Sequence, residues 1–298
     1  MIDRKAYEEL VRRALEEDLG DAGDVTTEAI FGDELGSAVL RSKDSGVLAG
    51  SEIFTAVFRE LDPGVEVSFE AEEGADLRPG VIVARLSGKT AALLSGERTA
   101  INFLSFLSGI ATSARRYSAA IAGASGGAAR APVILDTRKT LPGYRVLAKY
   151  AVRVGGGKNH RIGLYDMVLI KDNHIDFAGS IARAVERVRS RWGSKFEIEV
   201  ECRSAAEVAE ALAAEADMIM LDNMDDATIK ESVTLIAGRA KIEASGNMDL
   251  ERVARLACSG VDFISVGRIT HSVTAFDFSM KVETENGYDT HQSRSARV

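Results

Sequence analysis

Cysteine, proline and tryptophan are scarce in this sequence, whose 298 residues include two cysteines, four prolines and one tryptophan. Two cysteines are too few for the disulfide framework of a small secreted domain, so we expect Cys202 and Cys258 to be reduced, buried packing residues. The two cysteines and four histidines form no cluster with the spacing of a zinc site. Zinc is therefore not an expected cofactor.

Long apolar runs and an excess of positive charge are also missing. No uninterrupted stretch approaches the roughly 20 apolar residues that a membrane-spanning helix needs, and the opening Met1-Ile2-Asp3-Arg4-Lys5 lacks the apolar core of a signal peptide. The net charge is −8, which argues against general nucleic-acid binding. We therefore expect a cytoplasmic protein that binds neither a membrane nor nucleic acid.

The first third of the chain has the pattern of a small mixed domain. Residues 3–18 have the spacing of an amphipathic helix, and residues 36–88 contain short apolar runs broken by Gly or Pro. These runs predict a small antiparallel sheet with one helix near Glu52–Leu61. Residues 91–122 return to helical spacing, and Gly109 is expected to divide them into two helices because an interior glycine costs about 1 kcal/mol against alanine.

Beyond a linker of small residues, Ala122–Arg130, strands and helices alternate regularly. The predicted strands are Val133–Asp136, Asp166–Ile170, Phe196–Glu201, Asp217–Asp222, Ala240–Ala244 and Asp262–Val266. The predicted helices are Leu141–Val154, Phe177–Trp192, Ala205–Ala214, Asp226–Ala237 and Leu250–Ser259. Repeated β-α units with short apolar strands imply a parallel sheet covered by helices, either an open doubly wound sheet or a barrel.

Polar groups at the C-terminal ends of all the predicted strands favour the barrel. These groups are Asp136-Thr137-Arg138-Lys139, Lys171, Glu201, Asp222, Ser245-Gly246-Asn247 and Gly267-Arg268. An open doubly wound sheet concentrates its ligand groups at one switch point, whereas delivery from every strand is typical of a (β/α) barrel. After the last unit, apolar and polar residues alternate from Phe276 to Glu283, which predicts a half-exposed strand returning to the antiparallel region.

Positive charge is concentrated in one segment. Residues 137–161 contain seven Lys or Arg and no Asp or Glu, although the whole chain has 37 Lys+Arg and 45 Asp+Glu. Such local charge on an acidic protein indicates a focused anion site. Arg138, Lys139 and Lys171 follow apolar strands, and Arg161 closes a triple-glycine loop, so we expect these four to bind the anion.

Three further cations of this segment have a different expected role. Arg145, Lys149 and Arg153 are four residues apart and share one helix face. An exposed, solvated face is the ordinary arrangement for such a pattern. His160 lies in the cationic loop and could be either a ligand donor or a structural residue.

Two carboxylates and two glycine turns complete the pattern. Glu201 and Asp222 close adjacent strands, where they could share one Mg²⁺ directly or through water; alternatively, Glu201 forms a salt bridge with Lys171 or Arg138. The turns at Ser245-Gly246-Asn247 and Gly267-Arg268 are suited to phosphate. There is no P-loop and no Ser or Cys nucleophile with a paired base, so the pattern suits group transfer from a polyphosphorylated sugar through positioning and electrostatics.

Several motifs resemble those of the quinolinate phosphoribosyltransferase family (nicotinate-nucleotide pyrophosphorylase, carboxylating). The motifs are Gly96–Phe103, Thr137–Gly143, Gly155–Arg161, Leu169–His174, Glu199–Glu201, Met220–Met224, Ala244–Asn247 and Ser265–Gly267. The similarity spans roughly residues 3–283 and keeps the family's order.

The resemblance implies an α/β fold with two domains. The first is an N-terminal open α/β sandwich with an antiparallel sheet, residues 1–110 plus the return strand 275–284. The second, residues 111–274, is the catalytic domain, an incomplete, TIM-like (β/α) barrel of fewer than eight strands; a polar tail, 285–298, follows. It also implies a homodimer, or a higher oligomer of dimers, with shared active sites that Arg98 enters from the neighbouring subunit.

The implied reaction joins quinolinate to 5-phosphoribosyl-1-pyrophosphate and yields nicotinate mononucleotide, pyrophosphate and CO₂ in NAD biosynthesis, with Mg²⁺ as cofactor. The implied catalytic residues are Lys139, Lys171, Glu201 and Asp222. The implied quinolinate-binding residues are Arg98, Arg138, His160, Arg161 and Lys171. The implied donor-binding residues are Thr137, Lys139, Glu201, Asp222, Ser245, Gly246, Asn247, Val266, Gly267 and Arg268. Glu201 and Asp222 would hold the metal, either directly or through water. The alternatives are a ModD-like or nicotinate-specific phosphoribosyltransferase and a non-catalytic phosphosugar-binding protein.

Overall fold

The computed structural model of the chain describes residues 2–126 and 131–283. The helices are α1 (Glu8–Leu19), α2 (Thr27–Ile30), α3 (Ser51–Leu61), α4 (Thr90–Ser125), α5 (Arg145–Val154), α6 (Asp172–Ala178), α7 (Ile181–Trp192), α8 (Ala205–Ala213), α9 (Asp226–Ile236), α10 (Leu250–Leu256) and α11 (Arg268–His271). The strands are β1 (Leu35–Ser42), β2 (Gly46–Val47), β3 (Glu66–Phe69), β4 (Asp76–Leu77), β5 (Ile82–Lys89), β6 (Val133–Leu135), β7 (Val168–Ile170), β8 (Ile198–Cys202), β9 (Met218–Asp222), β10 (Lys241–Ser245), β11 (Phe263–Ser265) and β12 (Phe278–Glu283).

The chain divides into two compact units, Met1–Gly109 with Thr274–Val298, and Ile110–Val273. None of the helices within residues 2–126 and 131–283 combines the length and apolarity that crossing a membrane would require. The predicted tail, 285–298, lies outside the described residues.

The first unit is built on an antiparallel sheet of order β12-β1-β5-β3. β12 pairs with β1, with Met280 opposite Leu40, so the predicted return strand is confirmed. Helix α3 buries the side of its surface that carries Phe54 and Phe58, and the Phe54 ring lies edge-on to Phe69 of β3 at 5.7 Å between centroids. This contact places α3 against the sheet, as the apolar spacing of the helix requires.

The expected break at Gly109 is wrong, because α4 runs without interruption from Thr90 to Ser125. The side chains around the glycine, including Leu107 and Ile110, are fully buried. Tertiary packing of this kind readily outweighs the roughly 1 kcal/mol that one glycine costs a helix. The first residues of the predicted linker, up to Ser125, therefore belong to the helix, and its residues 127–130 lie outside the described part.

The second unit carries a six-stranded parallel sheet of order β6-β11-β10-β9-β8-β7. The first strand pairs with the last, Ile134 opposite Ile264, as in an incomplete (β/α) barrel, and the sheet is not closed. The α/β class is thus confirmed. Short strands with nearly all residues buried, such as Ile198–Cys202, are what a sheet covered by helices produces.

Capping side chains set the start of the helices that follow the strands. Ser204, Asp225 and Asp249 each accept a hydrogen bond from the backbone N–H three residues ahead, which satisfies one of the donors left open at a helix start. The predicted helix Phe177–Trp192 is instead divided into α6 and α7. Gly179 has a φ of +94°, a left-handed conformation that glycine adopts at little cost.

Candidate active site

A cleft of about 730 Å³ lies where the strands of the parallel sheet end, within the second unit. Of the predicted site residues in this unit, the cleft is lined by Thr137, Arg138, Lys139, His160, Arg161, Lys171, Glu201, Asp222, Ser245, Gly246, Asn247, Gly267 and Arg268. Val266 is not among the lining residues; it is buried, and its backbone N–H donates to the carbonyl of Leu135 at 2.9 Å. Arg98 lies on α4 in the first unit, with an exposed side chain.

Two arginines of the cleft form no ion pair with an acid in the described part of the chain. Nε of Arg138 is buried without a hydrogen-bond partner. The largely buried Arg161 donates from Nη1 to the carbonyl of Met167 at 3.2 Å. Burial and then the neighbouring charge of Arg138 hold the pKa of Arg161 below its usual range. Two guanidinium groups that repel each other in a partly dry site favour an incoming dianion.

The two lysines of the cleft are more exposed. Lys171 Nζ lies 3.8 Å from Glu201 Oε2, and the lysine side chain is 46% exposed, so this ion pair is weak and screened. The carbonyl of Lys139 accepts a hydrogen bond from Thr270 Oγ1 at 2.9 Å. This bond fixes the backbone of the Thr137–Thr140 segment and leaves the Lys139 ammonium to the cleft.

Glu201 and Asp222 point to the same side of the sheet. Glu201 is opposite Met220 in the β8–β9 pair, and Asp222 lies two residues beyond Met220, so the two-residue period of a strand brings the two carboxylates to one face. Burial raises the pKa of Glu201, Lys171 opposes this rise, and the charge of Asp222 adds to it. A half-buried carboxylate beside a second carboxylate fits a divalent cation that takes oxygen ligands, such as Mg²⁺.

The two predicted glycine turns line the same cleft. Gly246 has a φ of +96°, and a side chain there would collide with Asn223. A Cβ atom at Gly267 would lie 3.1 Å from Lys139 Cδ and 3.4 Å from Thr137 Oγ1. Backbone can therefore approach a ligand closely at both turns, which suits a phosphate group.

The solvated-face expectation is wrong for Lys149. The residue is 2% exposed, and its ammonium is hydrogen bonded to the fully buried carboxylate of Asp136. Arg145 instead donates to Thr140 Oγ1 and to the carbonyl of Ile162, both at 3.1 Å. The sequence carried a signal for the buried pair, since an aspartate that closes an apolar strand needs a partner.

Sequence reasoning also missed Glu199 and Glu243 as neighbours of His160. His160 Nε2 lies 3.0 Å from Glu199 Oε2 and 3.4 Å from Glu243 Oε2, and both glutamates are fully buried. Burial and the charge of Glu243 raise the pKa of Glu199 to about 7. Glu199 therefore holds a proton more readily than an exposed glutamate does.

The same three residues bring ligand atoms within 4.8 Å of one another, as a metal site would. Burial lowers the pKa of His160, and the two carboxylates outweigh burial and raise it. The Arg161 N–H, however, donates to His160 Nδ1 at 2.7 Å and leaves no room for a second ring proton. We therefore assign the proton to Nε2, where a metal would bind, and interpret the cluster as a hydrogen-bonded His160–Glu199 pair with Glu243 beside it.

The two free cysteines differ from each other. Cys202 is buried, as expected, and burial raises the pKa of its thiol to about 12, which makes it a poor nucleophile. Cys258 is exposed, contrary to expectation. Helix α10 ends at Leu256, before the Ser259 predicted from spacing, so Cys258 falls beyond the packed part of the helix.

Comparison with protein families gives two consecutive matches. Residues 24–108 match the model described as quinolinate phosphoribosyl transferase, N-terminal domain. Residues 110–281 match the model described as quinolinate phosphoribosyl transferase, C-terminal domain.

Individual proteins agree with these matches. A probable nicotinate-nucleotide pyrophosphorylase [carboxylating] from Bacillus subtilis (strain 168) is 43% identical over 91% of this chain and 91% of its own. Quinolinate phosphoribosyltransferase [decarboxylating] 1b from Nicotiana tabacum is 39% identical over 93% of this chain and 82% of its own. The crystal structure of NadC from Streptococcus pyogenes superposes with a TM-score of 0.89 at 40% identity, covering 94% of this chain and 97% of that one.

Proposed function

Since the chain belongs to the quinolinate phosphoribosyltransferase family, we propose that it transfers the phosphoribosyl group of 5-phosphoribosyl-1-pyrophosphate to quinolinate with decarboxylation. The products are nicotinate mononucleotide, pyrophosphate and CO₂, and the reaction serves NAD biosynthesis. The observation that carries the proposal beyond family membership is the pair of buried or half-buried arginines, Arg138 and Arg161, that line the cleft without an ion pair to a carboxylate among the described residues. A pyridine with two adjacent carboxylates supplies the missing negative charge.

Arg138, Arg161 and Lys171 bind the two carboxylates of quinolinate in this proposal. The arginines offer forked N–H donors that match a carboxylate, and Lys171 adds a mobile point charge. His160 lines the same wall of the cleft, where its ring is held by Glu199. The acceptor is thereby oriented with its ring nitrogen towards the sugar donor.

The donor lies across the cleft in this proposal. The residues that bind its phosphates are Thr137, Lys139, Ser245, Gly246, Asn247, Gly267 and Arg268. Val266 packs behind the last of these turns. Glu201 and Asp222 bind the ribose hydroxyls and hold Mg²⁺, directly or through water. When bound, Mg²⁺ offsets the negative charge that develops on the departing pyrophosphate.

The chemistry then depends on charge placement. The quinolinate nitrogen attacks C1 of the ribose as the bond from C1 to pyrophosphate breaks, and Lys139 stabilises the negative charge that develops on the departing pyrophosphate. The ring that results is a pyridinium. The electron pair released when the 2-carboxylate leaves as CO₂ stays on C2, where the adjacent positively charged ring nitrogen stabilises it, and C2 then takes up a proton from water.

We also propose a homodimer, or a higher oligomer of dimers, in which Arg98 of one subunit completes the quinolinate site of the other. An exposed arginine on helix α4 supports this proposal, because a guanidinium is enriched where carboxylates are recognised across an interface. The free thiols are compatible with the reducing cytoplasm that we propose as its compartment.

The decisive assay combines quinolinate, 5-phosphoribosyl-1-pyrophosphate and Mg²⁺. We expect nicotinate mononucleotide and labelled CO₂ from 2-carboxyl-labelled quinolinate in equal amounts. Nicotinate serves as the comparison substrate, and equal turnover of the two would favour a nicotinate-specific or ModD-like transferase. A phosphosugar-binding protein without catalysis would bind the donor without Mg²⁺ and release no CO₂.

A further inference from the structure

The buried pair of Asp136 and Lys149 contacts the backbone of one cleft residue from both sides. Asp136 Oδ1 accepts a hydrogen bond from the His160 N–H at 3.0 Å. Lys149 Nζ donates to the carbonyl of His160 at 2.9 Å and to Asp136. The N–H and C=O of His160 are thus both held by the same ion pair.

Asn159 closes the network from the preceding position. Its Nδ2 donates to Asp136 Oδ2 at 2.5 Å and to the carbonyl of Lys149 at 2.8 Å. The amide oxygen of Asn159 accepts from Arg153 Nη1 at 2.7 Å. Every polar group of the pair therefore points at the loop or at the helix beside it.

The pair also links the two cationic stretches of the cleft. Asp136 directly precedes Thr137-Arg138-Lys139, and its backbone N–H donates to the carbonyl of Lys158 at 3.2 Å. His160, held by the pair, directly precedes Arg161. The spacing between the Arg138 and Arg161 guanidinium groups thus depends on where this one ion pair sits.

We infer that Asp136 and Lys149 are positioning residues that fix the loop Lys158–Arg161 against the segment Thr137–Lys139 and so set the quinolinate-binding geometry. Neither residue lines the cleft, so both act through Arg138 and Arg161. A buried ion pair is a weak source of stability but fixes its neighbours in one arrangement when all its hydrogen bonds are made. The part of this inference that concerns quinolinate rests on the proposed function.

The first test is Lys149→Met, which keeps the length of the side chain and removes the ammonium. We expect the KM for quinolinate to rise at least about 10-fold, because a misplaced guanidinium loses one good charge-assisted contact, which is worth roughly a factor of ten. The KM for 5-phosphoribosyl-1-pyrophosphate should stay within about twofold. The His160 amide should exchange its hydrogen faster, since its acceptor Asp136 loses its anchor.

A matched control separates positioning from general destabilisation. Ile229 is fully buried in α9 and does not line the cleft, so Ile229→Ala lowers stability by cavity formation alone and should leave both KM values and His160 exchange unchanged. Asn159→Ala removes the hydrogen bonds of the Asn159 amide and should raise the KM for quinolinate selectively, by less than Lys149→Met does. This variant tests the inference if Lys149→Met does not fold.

Two results would overturn the inference: an unchanged KM for quinolinate in both network variants, or an equal rise in both KM values. If the wild-type protein does not use quinolinate, the proposed function fails. The hydrogen-exchange experiment then still tests whether the Asp136–Lys149 pair positions the loop Lys158–Arg161. Protected His160 exchange in both network variants would then contradict the positioning role, whereas faster exchange confined to them would support it.

Discussion

Replacing Arg138 with methionine is expected to weaken quinolinate binding and to leave the free protein at least as stable as before. Nε of Arg138 is buried without a partner, and Arg138 joins burial in lowering the pKa of Arg161. The arginine is therefore poorly satisfied until an anion arrives. Methionine retains an apolar stem of similar length and removes the charge.

The two effects have opposite signs and different sizes. Loss of one member of a hydrogen-bonded, desolvated charge pair costs about 2–5 kcal/mol of binding, which corresponds to a Kd about 30- to 5000-fold higher. In the free protein, the same change removes an unsatisfied buried donor whose desolvation costs about 1–3 kcal/mol. If removing this donor raises the free energy of unfolding by about 1 kcal/mol, the Tm rises by about 2–4 °C for a unit of this size.

Calorimetric titration with quinolinate and thermal unfolding without ligand measure the two effects separately. The matched control is Arg189→Met on α7, because the guanidinium of Arg189 already donates to Asp217 Oδ2 at 2.9 Å. The control should keep its quinolinate affinity, and its Tm should fall slightly. Wild-type affinity in Arg138→Met, or a Tm lower than that of the control, would refute the reasoning.

Three further experiments test the rest of the proposed site. Asp222→Asn should weaken the dependence of the rate on Mg²⁺ concentration, and an unchanged response would remove this residue from the metal site. Gly267→Ala should lower kcat by displacing Lys139, whose Cδ lies 3.1 Å from the new Cβ. The Tm should stay nearly unchanged, because the φ of −64° at Gly267 suits alanine. A wild-type kcat would show that catalysis does not need the Lys139 ammonium at its present position. Mixing inactive Arg98→Ala and Lys171→Ala chains should restore up to about a quarter of the activity, since half of randomly mixed dimers carry one intact site, and no recovery would indicate sites formed within one subunit.

The strand ends were the most informative feature of the sequence. Each predicted strand of the parallel sheet appears in the structure within two residues at either end, because short apolar runs between helical stretches allow few other arrangements. The C-terminal ends of parallel strands meet at one edge. Thr137, Lys171, Glu201 and Asp222 therefore reach one cleft, although they are far apart in the sequence.

Spacing alone could not separate a buried cation from an exposed one. Lys149 shares its helix face with Arg145 and Arg153, and nothing in the helix itself distinguishes the three. The difference comes from Asp136 on another element, whose buried carboxylate selects the cation that lies opposite it. Gly109 shows the same limit, because packing against residues distant in sequence decides whether a helix continues through a glycine.

Glu199 could have been found from strand periodicity. Alternate residues of a strand face the same side, so a Glu199-Val200-Glu201 strand with Glu201 at the cleft must also turn Glu199 inwards. A fully buried carboxylate then requires a donor, and the cationic loop is the nearest source in a parallel sheet. Only the contact with His160 needed the three-dimensional arrangement.

The cations of residues 137–161 thus have two different roles, which the number of charges in the sequence does not distinguish. Lys149 is paired with a buried acid, and its charge holds the loop in place, whereas Arg138 and Arg161 have no ion pair with an acid in the described part of the chain and can respond to a ligand. Buried acids in the sheet interior hydrogen bond to loop backbone and to His160, so they fix the cleft without forming an ion pair with the arginines that face it. The cleft keeps positive charge available for a ligand because the buried acids hold the loop in place and do not pair with Arg138 or Arg161. Exchanging the side chains of Lys149 and Arg138 should therefore disrupt both the position of the loop and the binding of the anion.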